Sequence, residues 1–378
     1  MSEPPWASIV ISSYNYGRFL ADAIDSALGQ THPYTEVIVV DDGSTDHSWE
    51  VIAGYGERVL PIRKDNGGQA SALNAGYRAS RGEGVFFVDS DDLLLPTAVE
   101  QALPLFGDLR TAKVHWPLLA VDDQGRGTGL VRNPVLHEGD LRGAVIRDGP
   151  YGYLWPDTTG NAWARPYLER VLPIPEEEFR TSPDLYLCGL APLFGTIGMI
   201  PEPQGCWRAH SQNHSVRHAF EERLRAGLRR EEHCFDALSR CCQTLGVVPD
   251  PRPWKANGWW HQIDAGLRGI TAIVPPGDAF ILVDQDSWGC GPVLAGRRRV
   301  PFLEREGGDW GEPEDDATAI GELERLRTAG ANFMVFVQPA LWWLDYYAGL
   351  RRHLRSNFRC ALENDALVAF DLRAGHRS

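Results

Sequence analysis

Positive charge is scarce in this chain. Its 37 Lys and Arg stand against 51 Asp and Glu, a net charge of −14. That balance argues against nonspecific nucleic-acid binding, which relies on cations neutralising phosphates. Paired cysteines are lacking too. None of Cys188, Cys206, Cys234, Cys241, Cys242, Cys290 and Cys360 forms a C-x-x-C, and the first 187 residues hold none. An odd, scattered set reads as free thiols in a reducing compartment. No run approaches the roughly 18 apolar residues of a membrane span. The opening MSEPPWASIV has neither the basic nor the apolar segment of a secretory signal. The expectation is a cytoplasmic protein with no transmembrane segment, with room for peripheral contact at an inner membrane. No glycine- and Lys/Arg-rich phosphate loop follows the first apolar run, which disfavours nucleotidyl transfer. Internal repeats and low-complexity tracts are absent.

What remains is ordinary for a soluble globular chain, 43% hydrophobic and 23% charged. The length, 378 residues, is comfortable for two domains. Thirteen Trp suggest aromatic platforms as well as core. Apolar runs at Ser8–Asn15, Glu36–Ser44, Val59–Gly68 and Gly84–Asp92 alternate with helical patterns at Arg18–Gln30, Thr45–Tyr55, Gln69–Ser80 and Thr97–Phe106. Strands alternating with helices of this length predict βαβ units and a largely parallel sheet. Ligands of such sheets sit beyond the carboxyl ends of the strands. Those ends carry Ser13-Tyr14-Asn15, Asp41-Asp42, Asp65-Asn66 and Asp89-Ser90-Asp91-Asp92, so four polar clusters are expected on one edge.

The pattern then loosens. Ala112–Val131 reads as two strands around a DDQGRG turn, and residues 132–163 are rich in Gly, Pro and aromatics. Short helices are expected at Ala164–Val171 and Pro183–Leu193, a strand at Gly195–Pro201, a polar loop at Cys206–Ser215 and a long helix from Val216 to Leu245. A second α/β pattern begins near Ala279, with strands at Ala279–Asp286, around Arg298–Glu306, at Asn332–Pro339 and at Ala366–Arg373. The expected division is 1–215 as the first domain, 216–270 as a helical linker and 271–378 as a smaller C-terminal α/β domain.

Asp89-Ser90-Asp91 is a D-x-D at a strand end. Residues two apart in an extended segment point the same way, and paired carboxylates suit a hard cation such as Mg²⁺ or Mn²⁺. By itself the motif also fits a solvated acidic loop. An EF-hand is disfavoured, because LLLP stands where the glycine turn is needed.

Taken in order, SYNYGRFLADAIDSALGQT, VIVVDDGSTD, NGGQASALNAG and FFVDSDDLLLP resemble the family 2 glycosyltransferases of the GT-A fold, and the resemblance covers roughly residues 6–215. It implies a Rossmann-like, mostly parallel mixed sheet and a nucleotide-diphosphate sugar donor of UDP or dTDP type. It also implies a Mn²⁺ or Mg²⁺ cofactor and single-displacement transfer with inversion to a hydroxyl of a glycan, lipid-linked or small-molecule acceptor. Carried over by position, Ser13 and Tyr14 line the nucleotide pocket, and Asp42 or Asp41 meets the base. Asn66, Gly67 and Gly68 lie by the nucleotide and its phosphates. Asp89 and Ser90 lie near the ribose, and Asp91, helped by Asp89, holds the metal. His210, in WRAH, matches a Y-R-x-H element beside the diphosphate or metal. His210, His214 and His218 are spaced four apart, but Asn213 and Ser215 read as loop and cap, against a helical metal face.

An acceptor hydroxyl is too weak an acid to attack unaided, so inversion needs a base. In the family this is an acid opening a downstream helix, and Asp184, in FRTSPDLYLCG, fits; Pro183 stands where many members have a second acid. Ser182-Pro183-Asp184 is equally a good helix start, and Glu176, Glu177 and Glu178 are alternatives that also read as a solvated face. Asp41 and Asp46 also suit helix capping, and Gly67-Gly68 a simple turn. Trp155, Trp163 and Trp207 are candidates for packing an acceptor sugar, with core as the other reading. The C-terminal segment Trp310–Leu354 resembles a domain of unclear role behind bacterial sugar transferases. Trp342, Trp343, Tyr346 and Tyr347 there suggest protein docking or acceptor positioning. A non-catalytic sugar-nucleotide or glycan-binding protein is the alternative reading of the whole.

Overall fold

Three of the four opening strands are buried on both faces, all but the edge strand Leu60–Arg63, which is why their sequences read as unbroken apolar runs. In the computed structural model, which describes residues 6–211, 213, 219–285, 287–288, 294, 296–306 and 308–375, Ala7–Ser13 forms β1, Thr35–Asp41 β2, Leu60–Arg63 β3 and Gly84–Asp89 β4. Alternation sends Val10, Ile38, Val40, Val85 and Phe87 into one core. Ile9, Ile11, Val37, Val39, Phe86 and Val88 go into the other. Helix α1 (Gly17–Leu28) covers the second face with Leu20, Ala23 and Ile24. Helix α3 (Gln69–Ala79) covers the first with Ala70, Ala72 and Leu73; α2 (Ser48–Gly54) lies between them in sequence.

The remaining elements of this unit are β5 (Leu93–Leu94), α4 (Ala98–Ala102), β6 (Thr111–His115), β7 (Leu118–Val121), β8 (Gly127–Arg132), α5 (Arg142–Asp148), β9 (Asn161–Ala164), α6 (Arg165–Val171), α7 (Pro183–Phe194), β10 (Thr196–Met199) and β11 (Gly205–Arg208). The central sheet has seven strands in the order β10-β6-β9-β4-β1-β2-β3, and β5-β11-β7-β8 form a smaller sheet. Only β9 runs against its neighbours in the larger sheet; β1, β2, β3 and β4 are parallel. The mixed, mostly parallel sheet is the expected fold class. The unit's later strands depart from the sequence expectation: β5 was not expected, and β6, β7 and β8 stand where two strands were read. β9 arises inside the Gly/Pro/aromatic segment, where only its slot between β4 and β6 makes it a strand. Cys206–Arg208, expected in a polar loop, pairs with β7, because Arg208 is buried rather than solvated.

The chain divides into two compact units, Met1–Arg217 with Arg229–Trp254, and His218–Leu228 with Lys255–Ser378. The segment expected as a linker is therefore shared. Cys234, Phe235, Leu238 and Cys242 of helix Phe220–Thr244 enter the first unit's core. Ile263 and Ile270 of helix Trp259–Ile273 enter a core of the second. The second unit's sheet runs Arg298–Pro301, Ala279–Val283, Ala331–Val337, Leu367–Gly375, Phe358–Glu363. Its first three strands are parallel, and the strand Phe358–Glu363 was not legible in the sequence.

A packing constraint ties α3 to β1. A Cβ on Gly76 would lie 2.2 Å from Val10 Cγ1. Within a helix, Gly→Ala ordinarily gains about 1 kcal/mol; here overpacking, costing about 1–3 kcal/mol, decides the sign. Gly76→Ala is therefore expected to lower the unfolding midpoint, and Val10→Ala in the same chain to restore part of the loss. A neutral or stabilised Gly76→Ala would contradict this packing.

Candidate active site

Register brings the polar strand ends level. Ser13 pairs with Asp41, Ser12 with Asp89, and Asp41 with Arg63. Just beyond β1, Asn15 takes a left-handed conformation at φ 59°, which Asn tolerates better than most residues. Its Oδ1 accepts from Thr45 N at 2.7 Å, and its own N donates to Ser44 Oγ at 3.0 Å. The turns after β1 and β2 are thereby stapled together. Asp46 completes the join, accepting from Gly17 N at 2.9 Å and Ser48 N at 3.0 Å. Tyr14 projects from this loop, 44% exposed, while Ser13 is buried with no partner for its hydroxyl.

The two acids after β2 have different surroundings. Asp42 is buried, and its carboxylate accepts from Lys64 Nζ at 2.6 Å, Gly67 N at 3.0 Å, Gly68 N at 2.7 Å and Asn66 Nδ2 at 3.1 Å. Four donors fill a carboxylate's acceptor sites. Asp42 is thus committed to shaping the glycine turn, and the turn's amides are committed to Asp42. Of the two acids expected to meet a base, Asp42 has its acceptor sites taken by this closed set of bonds, while Gly67 and Gly68 turn their amides inward to it. Asp41 is also buried, but it is only half used. Oδ1 accepts from Ser44 N at 3.1 Å, whereas Oδ2 has no hydrogen-bond partner and lies 3.6 Å from Arg63 Nε. Gly68 is required in this turn: its φ is 90°, and a Cβ would lie 2.4 Å from Arg180 Cγ. Arg180 also donates to Asn66 Oδ1 and accepts from Gln69 N through its carbonyl at 2.8 Å.

The acidic tip of β4 is held from several sides. Asp89 Oδ1 accepts from Gln69 Nε2 at 2.6 Å, and Asp89 N donates to Thr159 Oγ1 at 3.2 Å. Burial, then the charges of Asp91, Asp184 and Asp157, push the Asp89 carboxyl well above the usual range. Asp92, buried, accepts from Arg208 N at 3.0 Å; burial and the charges of Asp91 and Asp89 raise it too. Ser90 is buried between these acids. Asp91 Oδ2 meets His210 Nε2 at 3.0 Å and Asn213 Nδ2 at 3.5 Å. The His210 ring packs on Phe19, with centroids 4.4 Å apart. Arg208, the residue sequence reasoning passed over, organises the tip. It is 2% exposed, donates to Asp22 Oδ2 at 2.8 Å and to the Asp91 carbonyl at 2.9 Å, and lies 5.0 Å from the Phe19 ring centre. Its place in WRAH, two residues before His210, was the only available signal.

Asp184 opens α7, after Ser182 at φ 58°. Its Oδ1 accepts from Leu185 N at 3.0 Å. Burial, and then the charge of Asp157, push its carboxyl up to about 6, against the opposing pull of Arg230. One turn on, Cys188 contacts the buried Lys113 Nζ at 3.2 Å, and the charge of Asp184 is felt at both.

Two other sets of expected residues part here. Asp91 and His210 are brought together, whereas Asp89 is oriented by Gln69. Among the described residues, no three or more His, Cys, Asp or Glu form a group able to hold an ion by themselves. A carboxylate and an imidazole still fit a cation that completes its shell with ligand phosphates and water. His214 and His218 lie outside the described residues. Of the three candidate acceptor tryptophans, Trp163 is corrected: it is 1% exposed and stacks on Tyr167 in the core. Trp155 is half-buried and donates to the Pro150 carbonyl at 3.1 Å. Trp207 is half-buried with the Arg132 guanidinium 4.1 Å from its ring centre.

A mixed, mostly parallel sheet with an acidic tip on β4 agrees with the glycosyltransferase class that the comparisons show. Residues 8–152 match the model of Glycosyl transferase family 2, and the N-terminal unit belongs to that family. An uncharacterised glycosyltransferase of Nostoc sp. is 34% identical over 215 residues, 55% of this chain and 66% of that protein. One from Rickettsia typhi is 39% identical over 105 residues, 28% of this chain and 33% of that protein. Chondroitin synthase of Pasteurella multocida is 44% identical over 105 residues, 27% of this chain and 11% of that protein. The chain thus spans about two thirds of the Nostoc relative and a third or less of the other two. Among solved structures, S. aureus TarS 1-349 in complex with UDP-GlcNAc is 18% identical, with a TM-score of 0.46, over 71% of this chain and 84% of that one.

The bonding of Asp42 sets a stability test. Asp42→Asn keeps the shape but loses charge-assisted acceptance from Lys64 and two amides, and is expected to cost roughly 1.5–3 kcal/mol in chemical denaturation. Asp41→Asn, which retains the Ser44 bond, should cost less. Equal losses would contradict the division of labour between the two acids.

Proposed function

We propose that the N-terminal unit transfers a sugar from a nucleoside-diphosphate donor to an acceptor hydroxyl, with inversion in a single displacement. The observation that carries the reading is Asp184, a carboxyl lifted to about 6 whose charge also acts on Asp89 of the acidic tip. A group of that basicity is largely ionised at neutral pH yet able to take a proton, as general-base catalysis needs. As a non-catalytic binding protein, the chain would have no use for such a base.

The other roles follow from what each side chain has left to offer. The Oδ2 of Asp41, which makes no hydrogen bond and lies 3.6 Å from Arg63 Nε, is an acceptor for an imide N–H of a uracil- or thymine-type base, in keeping with a UDP- or dTDP-type donor. The Asp42-braced glycine turn and the exposed Tyr14 bound the nucleotide side, with the buried hydroxyl of Ser13 behind. Asp89, oriented by Gln69, and Ser90 lie toward the ribose. Asp91 and His210 would hold Mn²⁺ or Mg²⁺, which when bound would offset the charge developing on the leaving diphosphate. Asp184 accepts the proton of the acceptor hydroxyl as that oxygen attacks, and withdrawal from water keeps the carboxylate basic. The acceptor belongs to the glycan, lipid-linked or small-molecule hydroxyl class, and the half-buried Trp155 and Trp207 are the aromatic candidates for packing against it. No described helix is long and apolar enough to cross a membrane.

Two variants separate binding from chemistry. Asp91→Asn is expected to abolish the Mn²⁺-dependent rise in melting temperature given by UDP. Asp184→Asn should keep that rise and lower release of UDP from a UDP-sugar by about a hundredfold or more. Retained turnover in Asp184→Asn would place the base elsewhere.

The pH profile has a fixed sign. Asp184 acts ionised, and its carboxyl is raised to about 6, so activity is lost on the acid side. kcat/KM is expected to fall about tenfold per pH unit below pH 6, and the fall should be absent from the residual activity of Asp184→Asn. A profile flat down to pH 5 would contradict this role.

A further inference from the structure

The second unit repeats, on an unrelated sheet, the geometry that places ligands in open α/β folds. Strand Ala279–Val283 lies between Arg298–Pro301 and Ala331–Val337, all parallel. The chain leaves it toward one neighbour and later returns to the other, which makes its carboxyl end a topological switch point, where crevices form. A cavity of about 210 Å³ lies there, lined by Gln285, Phe302, Gly311, Glu312 and Trp343. Gln285 follows the middle strand, Phe302 directly follows the strand ending at Pro301, and Trp343 comes shortly after the strand ending at Val337.

The lining is built rather than incidental. Gln285 is held at φ 52°, a conformation that a non-glycine residue adopts at a cost. Its side-chain amide donates to Glu312 Oε1 at 2.8 Å and accepts from Trp342 Nε1 at 3.4 Å. That leaves the amide one donor and one acceptor site. The indole N–H of Trp343 is buried without a partner. Around the cavity stand Trp342, 39% exposed, Tyr346, 71% exposed, and Trp310, 62% exposed.

We propose that this cavity is a second binding site, for a neutral saccharide. Flat aromatic faces pack against the C–H faces of a sugar ring, and an amide beside a carboxylate matches hydroxyls that donate and accept together. Glu312 disfavours a phosphate or carboxylate ligand, and the nearby Arg299 is paired with Asp284 at 3.3 Å. The volume is below the roughly 300–1,000 Å³ of sites for drug-sized molecules, which suits one ring in the cavity with further rings on the exposed aromatics. The proposal stands independently of the transferase reading of the first unit.

The test is calorimetric titration of the full chain with cello-, chito-, malto- and galacto-tetraose. At least one is expected to bind, with affinity unchanged in Asp91→Asn and weakened at least tenfold in Trp342→Ala and in Glu312→Gln. Glu312→Gln preserves size and an oxygen to accept from Gln285 but replaces the other acceptor oxygen by a donor and removes the charge, and so keeps the test open should Trp342→Ala fail to fold. The proposal is overturned if no tetraose binds. It is equally overturned if binding responds to Asp91→Asn but not to Trp342→Ala or Glu312→Gln, or if tetramethylammonium binds in a Trp342-dependent way where saccharides do not, which would make the aromatics a cation cage.

Discussion

Mutual repulsion among carboxylates at one strand end is the constraint on which the first unit depends. Asp89, Asp91 and Asp92 crowd the tip of β4, and Asp157 and Asp184 act on the same region. Buried acids in such company are driven toward their protonated forms unless positive charge is supplied. The chain supplies part of it through Arg208, which donates to the Asp91 carbonyl and the Asp22 carboxylate, while His210 contacts the Asp91 carboxylate at 3.0 Å. Asp42, by contrast, is fully compensated by Lys64 and the turn amides. The acids of the β4 tip lack such compensation, and on the proposed reading a cation and the donor's diphosphate complete the balance together.

The fold holds the tip against that repulsion. Two cores, one on each face of the parallel sheet, fix the register of β1, β2 and β4, and with it the level of Ser12, Ser13, Asp41 and Asp89. Slipping a strand by one residue would exchange its two buried faces. Arg208 ties the tip to α1 through Asp22, 186 positions earlier in the chain. Helix α7, which carries Asp184, is fixed separately, nearly all of its residues being buried.

Much of this was legible because the information is local. Apolar runs ending in polar clusters announced β1, β2 and β4, and the order of motifs singled out Asp91 and His210, which the fold brings together, and Asp184, which lies in the first turn of α7. What stayed hidden depends on partners distant in sequence. Asn161–Ala164 is a strand only because β4 and β6 flank it, and Trp163 is core for the same reason. Nothing local distinguishes Asp42 from Asp41; the difference lies in a glycine turn 25 residues away. Arg208 looks solvated in sequence and is buried because Phe19, Asp22 and Asp91 enclose it. In the second unit four of the five sheet strands were readable, but Phe358–Glu363 and the meeting of Gln285, Glu312 and Trp342 beyond the strand ends were not.

The most direct measurement of the central claim is a crystal structure of the chain with UDP and Mn²⁺, using the anomalous signal of manganese. The account predicts an ion about 2.0–2.3 Å from the Asp91 carboxylate and in contact with both phosphoryl groups of the nucleotide. UDP bound with its diphosphate turned away from Asp91, and no manganese at the tip of β4, would contradict it.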